Sequence, residues 1–65
     1  MAVQNATGRE LRATRVAYGV RAADVAAELG VSSEWVRRAE RSVMPKASAV
    51  ARYRRGLERV VATNR

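Results

Sequence analysis

The chain has neither cysteine nor histidine. Disulfide staples, thiolate nucleophiles, Cys/His zinc clusters, haem attachment and imidazole acid/base chemistry are therefore all excluded. Phenylalanine and isoleucine are missing as well, and there is one proline, one tryptophan and only three leucines. No apolar run approaches the ~18 to 20 residues needed to cross a bilayer. The start of the chain, Met1 to Thr7, has neither the basic residues nor the apolar stretch of a signal peptide. These absences predict a soluble, cytoplasmic protein with no cofactor, no small-molecule ligand and no membrane partner. Asp24, Glu28 and the scattered hydroxyls form no recognisable acid pair or triad, so no enzymatic activity is expected.

Sixty-five residues leave room for one small domain. Thirteen alanines and ten valines supply most of its apolar character. Such side chains bury little area each, so the core is expected to be thin and the stability marginal. The charge is the other dominant feature, with thirteen Lys/Arg against six Asp/Glu and a net +7. Twelve of the thirteen basic residues are arginine, whose planar fork suits bidentate contact with phosphate or guanine. Ala, Arg, Gly and Val codons are GC-rich, so a base-composition bias gives the same surplus.

Along the chain the periodicity is helical throughout. Thr7-Gly8-Arg9-Glu10 is a capping box, and a first helix runs from it with Leu11, Arg15 and Tyr18 on one face and a stop at Gly19. A second helix spans about Ala22 to Leu29 and ends at Gly30. Ser32 caps a third, Ser33 to Arg41, with Val36, Ala39 and Glu40 on one side and Glu34, Arg37, Arg38 and Arg41 on the other. Pro45 suits a helix start just after itself. A fourth helix from Lys46 or Ala47 to about Ala62 follows, with an apolar stripe through Val50, Tyr53, Leu57 and Val60 or Val61. Gly56 marks a weak point and a possible bend in it. No segment alternates with period two, so the class is all-α, with residues 1–6 and 63–65 read as tails around a domain of residues 7–62.

Ala26, Gly30 and Val36 carry the geometry. Two helices crossing at ~90 to 120° through a short turn need a small residue at closest approach, a residue without Cβ where the chain reverses, and a branched apolar wedge between them. In order, those are Ala26, Gly30 and Val36, which makes the segment a helix-turn-helix. With Leu11-Arg12 and Arg15, Gly19-Val20, Val25-Ala26, Leu29-Gly30-Val31-Ser32, Val36, Arg38-Ala39-Glu40-Arg41 and Pro45, the chain resembles the Cro/C1-type helix-turn-helix family of phage repressors and small bacterial regulators over nearly all of Thr7 to Leu57.

The resemblance implies a compact four- or five-helix, lambda-repressor-like domain whose third helix lies in the DNA major groove. It also implies an ion pair between Arg15 and Glu40 that orients this helix. Where the family has a Ser or Thr cap and a phosphate-contacting Gln, this chain has Arg21 and Ala22, and Arg21 replaces that contact by charge. Thr14 and Arg54 stand where the family has apolar residues, which leaves the core poorer.

Residues early in a recognition helix reach base edges while later ones and neighbouring helix ends hold phosphates. Ser33, Glu34 and Arg38 are thus the candidate base readers, Arg38 toward guanine and Glu34 toward cytosine N4. Glu34 and Arg38, four apart, equally suit an ordinary surface salt bridge. The candidate phosphate contacts are Arg21, Ser32, Trp35, Arg37, Arg41 and Lys46. Trp35 either stacks on the sugar-phosphate backbone or covers the gap between the second and third helices. Leu57, Val60 and Val61 either form a two-fold interface or close the monomer's own core.

The function expected is sequence-specific binding of double-stranded DNA by a transcriptional regulator, a repressor occluding a promoter, as a homodimer on a palindromic operator. Two alternatives stand beside it: an excisionase or MerR-like winged factor, which needs a β-hairpin after Pro45, and an antitoxin or adaptor that binds an acidic protein.

Overall fold

A computed structural model describes residues 6–63. Four helices account for the fold among the described residues: α1 (Gly8–Ala17), α2 (Ala22–Leu29), α3 (Ser33–Arg41) and α4 (Ala47–Thr63), with no strand. No described helix is long and apolar enough to cross a membrane. Residues 1–5 and 64–65 of the expected tails lie outside the described residues. Ala6 packs against the core and Thr63 is the last residue of α4.

Local chemistry sets the helix ends. Thr7 accepts from the Glu10 amide while the Glu10 carboxylate accepts from the Thr7 amide, closing the capping box. The Ser32 hydroxyl accepts from the Trp35 amide at the start of α3. Gly30 ends α2 with φ +69°, a conformation that L side chains adopt at a cost, and the chain reverses there into Val31 and Ser32. Val25 and Ala26 of α2 and Val36 of α3 are buried, and the two helices pack on each other, as expected from the small residue and the branched wedge.

The core is small and built from small parts: Leu11, Val20, Ala22, Val25, Ala26, Val36, Ala39, Val50, Tyr53, Leu57 and Val60. Tyr53, fully buried, is its largest member. Leu57 and Val60 belong to this cluster, which corrects their reading as an interface: the second turn of apolar residues on α4 is consumed in covering α1 and α2, and only Val61 stays partly exposed. Tyr18, the C-cap of α1, stays exposed at the open groove that Leu57 and Val61 also line, and adds nothing to the core. Thr14 and Arg54 border an open groove between α1 and α4, the place where larger apolar residues would have thickened the core.

Two glycines permit close approach. Gly56 does not bend α4, which is continuous; it is buried, and an added Cβ would lie 2.7 Å from Leu29 Cγ of α2. Gly8, the first residue of α1, abuts the C-terminal end of α3. A Cβ there would sit 2.4 to 2.5 Å from the carbonyl oxygens of Ala39, Glu40 and Ser42. The Gly8 amide donates to the Ser42 carbonyl at 2.9 Å, so the positive end of one helix meets the negative end of the other.

Three backbone oxygens cannot yield as a flexible side chain can, so Gly8→Ala forces α1 off α3. It is expected to cost about 2 kcal/mol, or roughly 10 °C in Tm for a domain of this size. A thermal melt followed by circular dichroism checks this, and a Tm within 2 °C of the parent would contradict the close approach.

Candidate nucleic-acid interface

The inner side of α3 is held by one ionic cluster. Arg15, in the last turn of α1, donates from Nε to Glu40 Oε2 at 2.7 Å and from Nη2 to Oε1 at 3.1 Å, a bidentate pair. Its Nη1 donates to the Val20 carbonyl at 2.8 Å, which fixes the chain between α1 and α2. The Tyr53 hydroxyl of α4 donates its single proton to Glu40 Oε2 at 2.5 Å. The side chains of Arg15 and Glu40 are only 13 % and 6 % exposed. Three helices of the fold, α1, α3 and α4, therefore meet on one carboxylate.

Burial by itself pushes the Glu40 carboxyl up, but the hydrogen bonds from Arg15 and Tyr53, with the Arg15 charge, outweigh it and hold the group below its ordinary value. The same hydrogen bond raises Arg15 against its own desolvation. Burial, followed by donation to Glu40, pushes the Tyr53 phenol above its ordinary range. Tyr53 entered the sequence analysis only as part of an apolar stripe. Its hydroxyl gives no periodic signal, although a tyrosine at a core position always raises the question of where its O–H goes.

The outer side of α3 is basic and open. Arg37, Arg38 and Arg41 are all exposed, as is Glu34. Glu34 pairs with Arg41, two turns on, through Oε2 and Nη2 at 2.6 Å, and not with Arg38. The hydrogen bond from Arg41, and then its charge, lowers the Glu34 carboxyl. Ser33 is half-buried at the first turn. Arg37 and Arg41 share an open depression with Arg12 and Arg21, between α1, the start of α2 and α3. Arg9 and Arg12 extend it along α1 past Ser42 and Val43. Arg38 and Lys46 lie on the other flank of α3, beside Trp35 and Pro45.

Sequence reasoning missed Arg9 and Arg12. Arg12 lies three residues and Arg9 six before the inward Arg15, and that spacing was the available signal, since it sets them along one edge of α1 beside the helix it packs on.

Two candidates already have partners within the fold. Trp35 is partly buried against the core and carries the Arg52 guanidinium of α4 over its ring at 5.7 Å, so the gap it covers is the α3–α4 seam and not the one between the second and third helices. Arg21 is the N-cap of α2 and pairs with Asp24 at 3.0 Å, which raises Arg21 and lowers Asp24. It remains exposed, so a phosphate would compete with Asp24 for it. On α4, Arg59 approaches Glu28 at 3.9 Å, an exposed pair that contributes little.

No family model, no curated protein and no solved structure matches the chain.

Removing one partner of the cluster strands the other in the interior. Glu40→Gln is expected to destabilise by roughly 3 kcal/mol. Tyr53→Phe, which removes a hydrogen bond to a charged acceptor, costs about 1.5 to 3 kcal/mol. Urea titrations check both. Because the folded-state pKa of Glu40 lies below its ordinary value of 4.5, its contribution is fully present above that pH and is lost as pH falls through the folded value. The parent's Tm is therefore expected to fall below pH 4.5, with a shallower acid limb in Glu40→Gln; superimposable acid limbs would refute the assignment.

Proposed function

We propose that the chain is a sequence-specific double-stranded DNA-binding regulator of the Cro/C1 type that represses by occluding a promoter, with α3 in the major groove. The observation that carries this reading is the division of α3 into two sides. Val36, Ala39 and Glu40 are spent on the fold, while Arg37, Arg38 and Arg41 all face solvent beside Arg9, Arg12, Arg21 and Lys46. An arginine face used for packing would be covered. This one is uncovered on a helix that α1 and α4 hold through Glu40, and a rigid element bearing planar cations suits a grooved polyanion.

Within this reading the roles separate by position. Glu34, Ser33 and Arg38, toward the start and middle of α3, read base edges, and Arg38 is the guanine reader. Arg37, Arg41, Arg21 and Lys46 hold phosphates, joined by Arg9 and Arg12 of α1. Ser32, whose hydroxyl oxygen already accepts from the Trp35 amide, retains its own proton for one more. A pair of domains on a palindrome would place half-sites ~34 to 36 Å apart. Val61 and the exposed Tyr18, at the α1–α4 groove, offer one apolar surface for such a pairing, beside the exposed Val16, Val43 and Met44 elsewhere. The winged alternative loses its support, since Ala47–Thr63 is helical where a wing needs a hairpin.

Binding to duplex DNA across a salt series tests the proposal. Six basic phosphate contacts predict log K falling against log salt with a slope of ~−5.4, about −0.9 for each contact. Weak, salt-insensitive binding would favour an adaptor with a protein partner instead. Selection from random duplexes then yields the site. Arg38→Ala is expected to relax one base position at ~1 to 3 kcal/mol, whereas Arg21→Ala weakens all sites alike.

A further inference from the structure

Glu34 is the one carboxylate on the outward side of α3, among Arg37, Arg38 and Arg41. Its partner is Arg41, and the pair spans two turns at 2.6 Å. Both side chains remain more than half exposed, at 56 % for Glu34 and 63 % for Arg41, so the contact is a surface clasp open to exchange. A duplex approaching this face offers phosphates that compete for Arg41 and base edges that either satisfy or repel Glu34.

Resting on the reading above, we propose that Glu34 is a specificity-determining residue that works through this clasp. On a non-cognate duplex, Glu34 faces phosphate oxygens and base acceptors. It therefore keeps Arg41, and one cation of the face is neutralised. On a cognate site, an amino donor at a base edge, such as cytosine N4, takes over the Glu34 carboxylate and frees Arg41 for a phosphate. One base contact and one phosphate contact then form together or not at all. The carboxylate thus holds down affinity for DNA in general more than affinity for the operator, the repulsive element that selective recognition requires alongside attraction.

The test is Glu34→Gln, which keeps the shape and removes the charge, measured on a random duplex and on a selected site over a salt series. On random duplex the variant is expected to bind roughly fivefold more tightly, with a slope steeper by about 0.9 as Arg41 is freed. On the selected site its affinity is unchanged or weaker, so the ratio of the two affinities falls. Arg41→Ala supplies the reciprocal: it leaves Glu34 unpaired, weakens binding to random duplex, and loses that effect when combined with Glu34→Gln. Melting temperatures of both variants should match the parent, since an exposed pair adds little to stability. If Glu34→Gln leaves both the random-duplex affinity and its slope at the parent's values while the parent binds with a steep salt dependence, the clasp has no such role and the DNA reading stands. If the parent itself shows no salt-dependent binding, both fall.

Discussion

One carboxylate organises this molecule. Glu40 accepts two hydrogen bonds from Arg15 and one from Tyr53, and through them the end of α1, the end of α3 and the middle of α4 are tied at a single point. A core of alanines and valines fixes the approach of helices only loosely, because small side chains interdigitate little and leave rotations about the helix axis cheap. A bidentate guanidinium and a phenol impose directions that methyl groups do not. The ion pair's net contribution to stability is modest after desolvation. Its effect on orientation is larger, since any roll of α3 separates Glu40 from both partners at once. The outward arginines inherit that fixed direction.

The thin core has a second consequence. Where bulk is missing, the fold gains contact by bringing backbones together. Gly8 lets the start of α1 sit on the last carbonyls of α3, and Gly56 lets Leu29 of α2 lie against α4. Each close approach replaces area that a larger residue would have buried with helix-to-helix contact and, at Gly8, with a hydrogen bond between opposed helix ends. Glycine inside a helix normally weakens it by about 1 kcal/mol, so Gly56 carries a propensity cost that its packing offsets.

Much of this was legible in the sequence. The four helices, the Thr7 and Ser32 caps and the reversal at Gly30 follow from local chemistry: a hydroxyl that accepts an amide, or a glycine that adopts positive φ, acts over three or four residues and needs no knowledge of the fold. What stayed hidden depends on tertiary neighbours. Gly56 looks like a weak point until Leu29 is seen against it. Leu57 and Val60 look free to pair with a second copy until α1 and α2 are laid over them. The pairing of Glu34 with Arg41 instead of Arg38 reflects side-chain reach across two turns, which spacing alone does not rank. Tyr53 presents a ring to the periodicity and a hydroxyl to Glu40, and only the ring is visible in a pattern of apolar residues.

Trp35 stands at the seam of α3 and α4 with the Arg52 guanidinium over its ring, and it is the chain's sole tryptophan. Its indole emission therefore comes from one place, the junction between the arginine-bearing helix and the helix that supports it. A cation above the ring and a partly dry surrounding both perturb that emission, so the fluorophore is a native optical gauge of whether these two helices remain docked, with no label added.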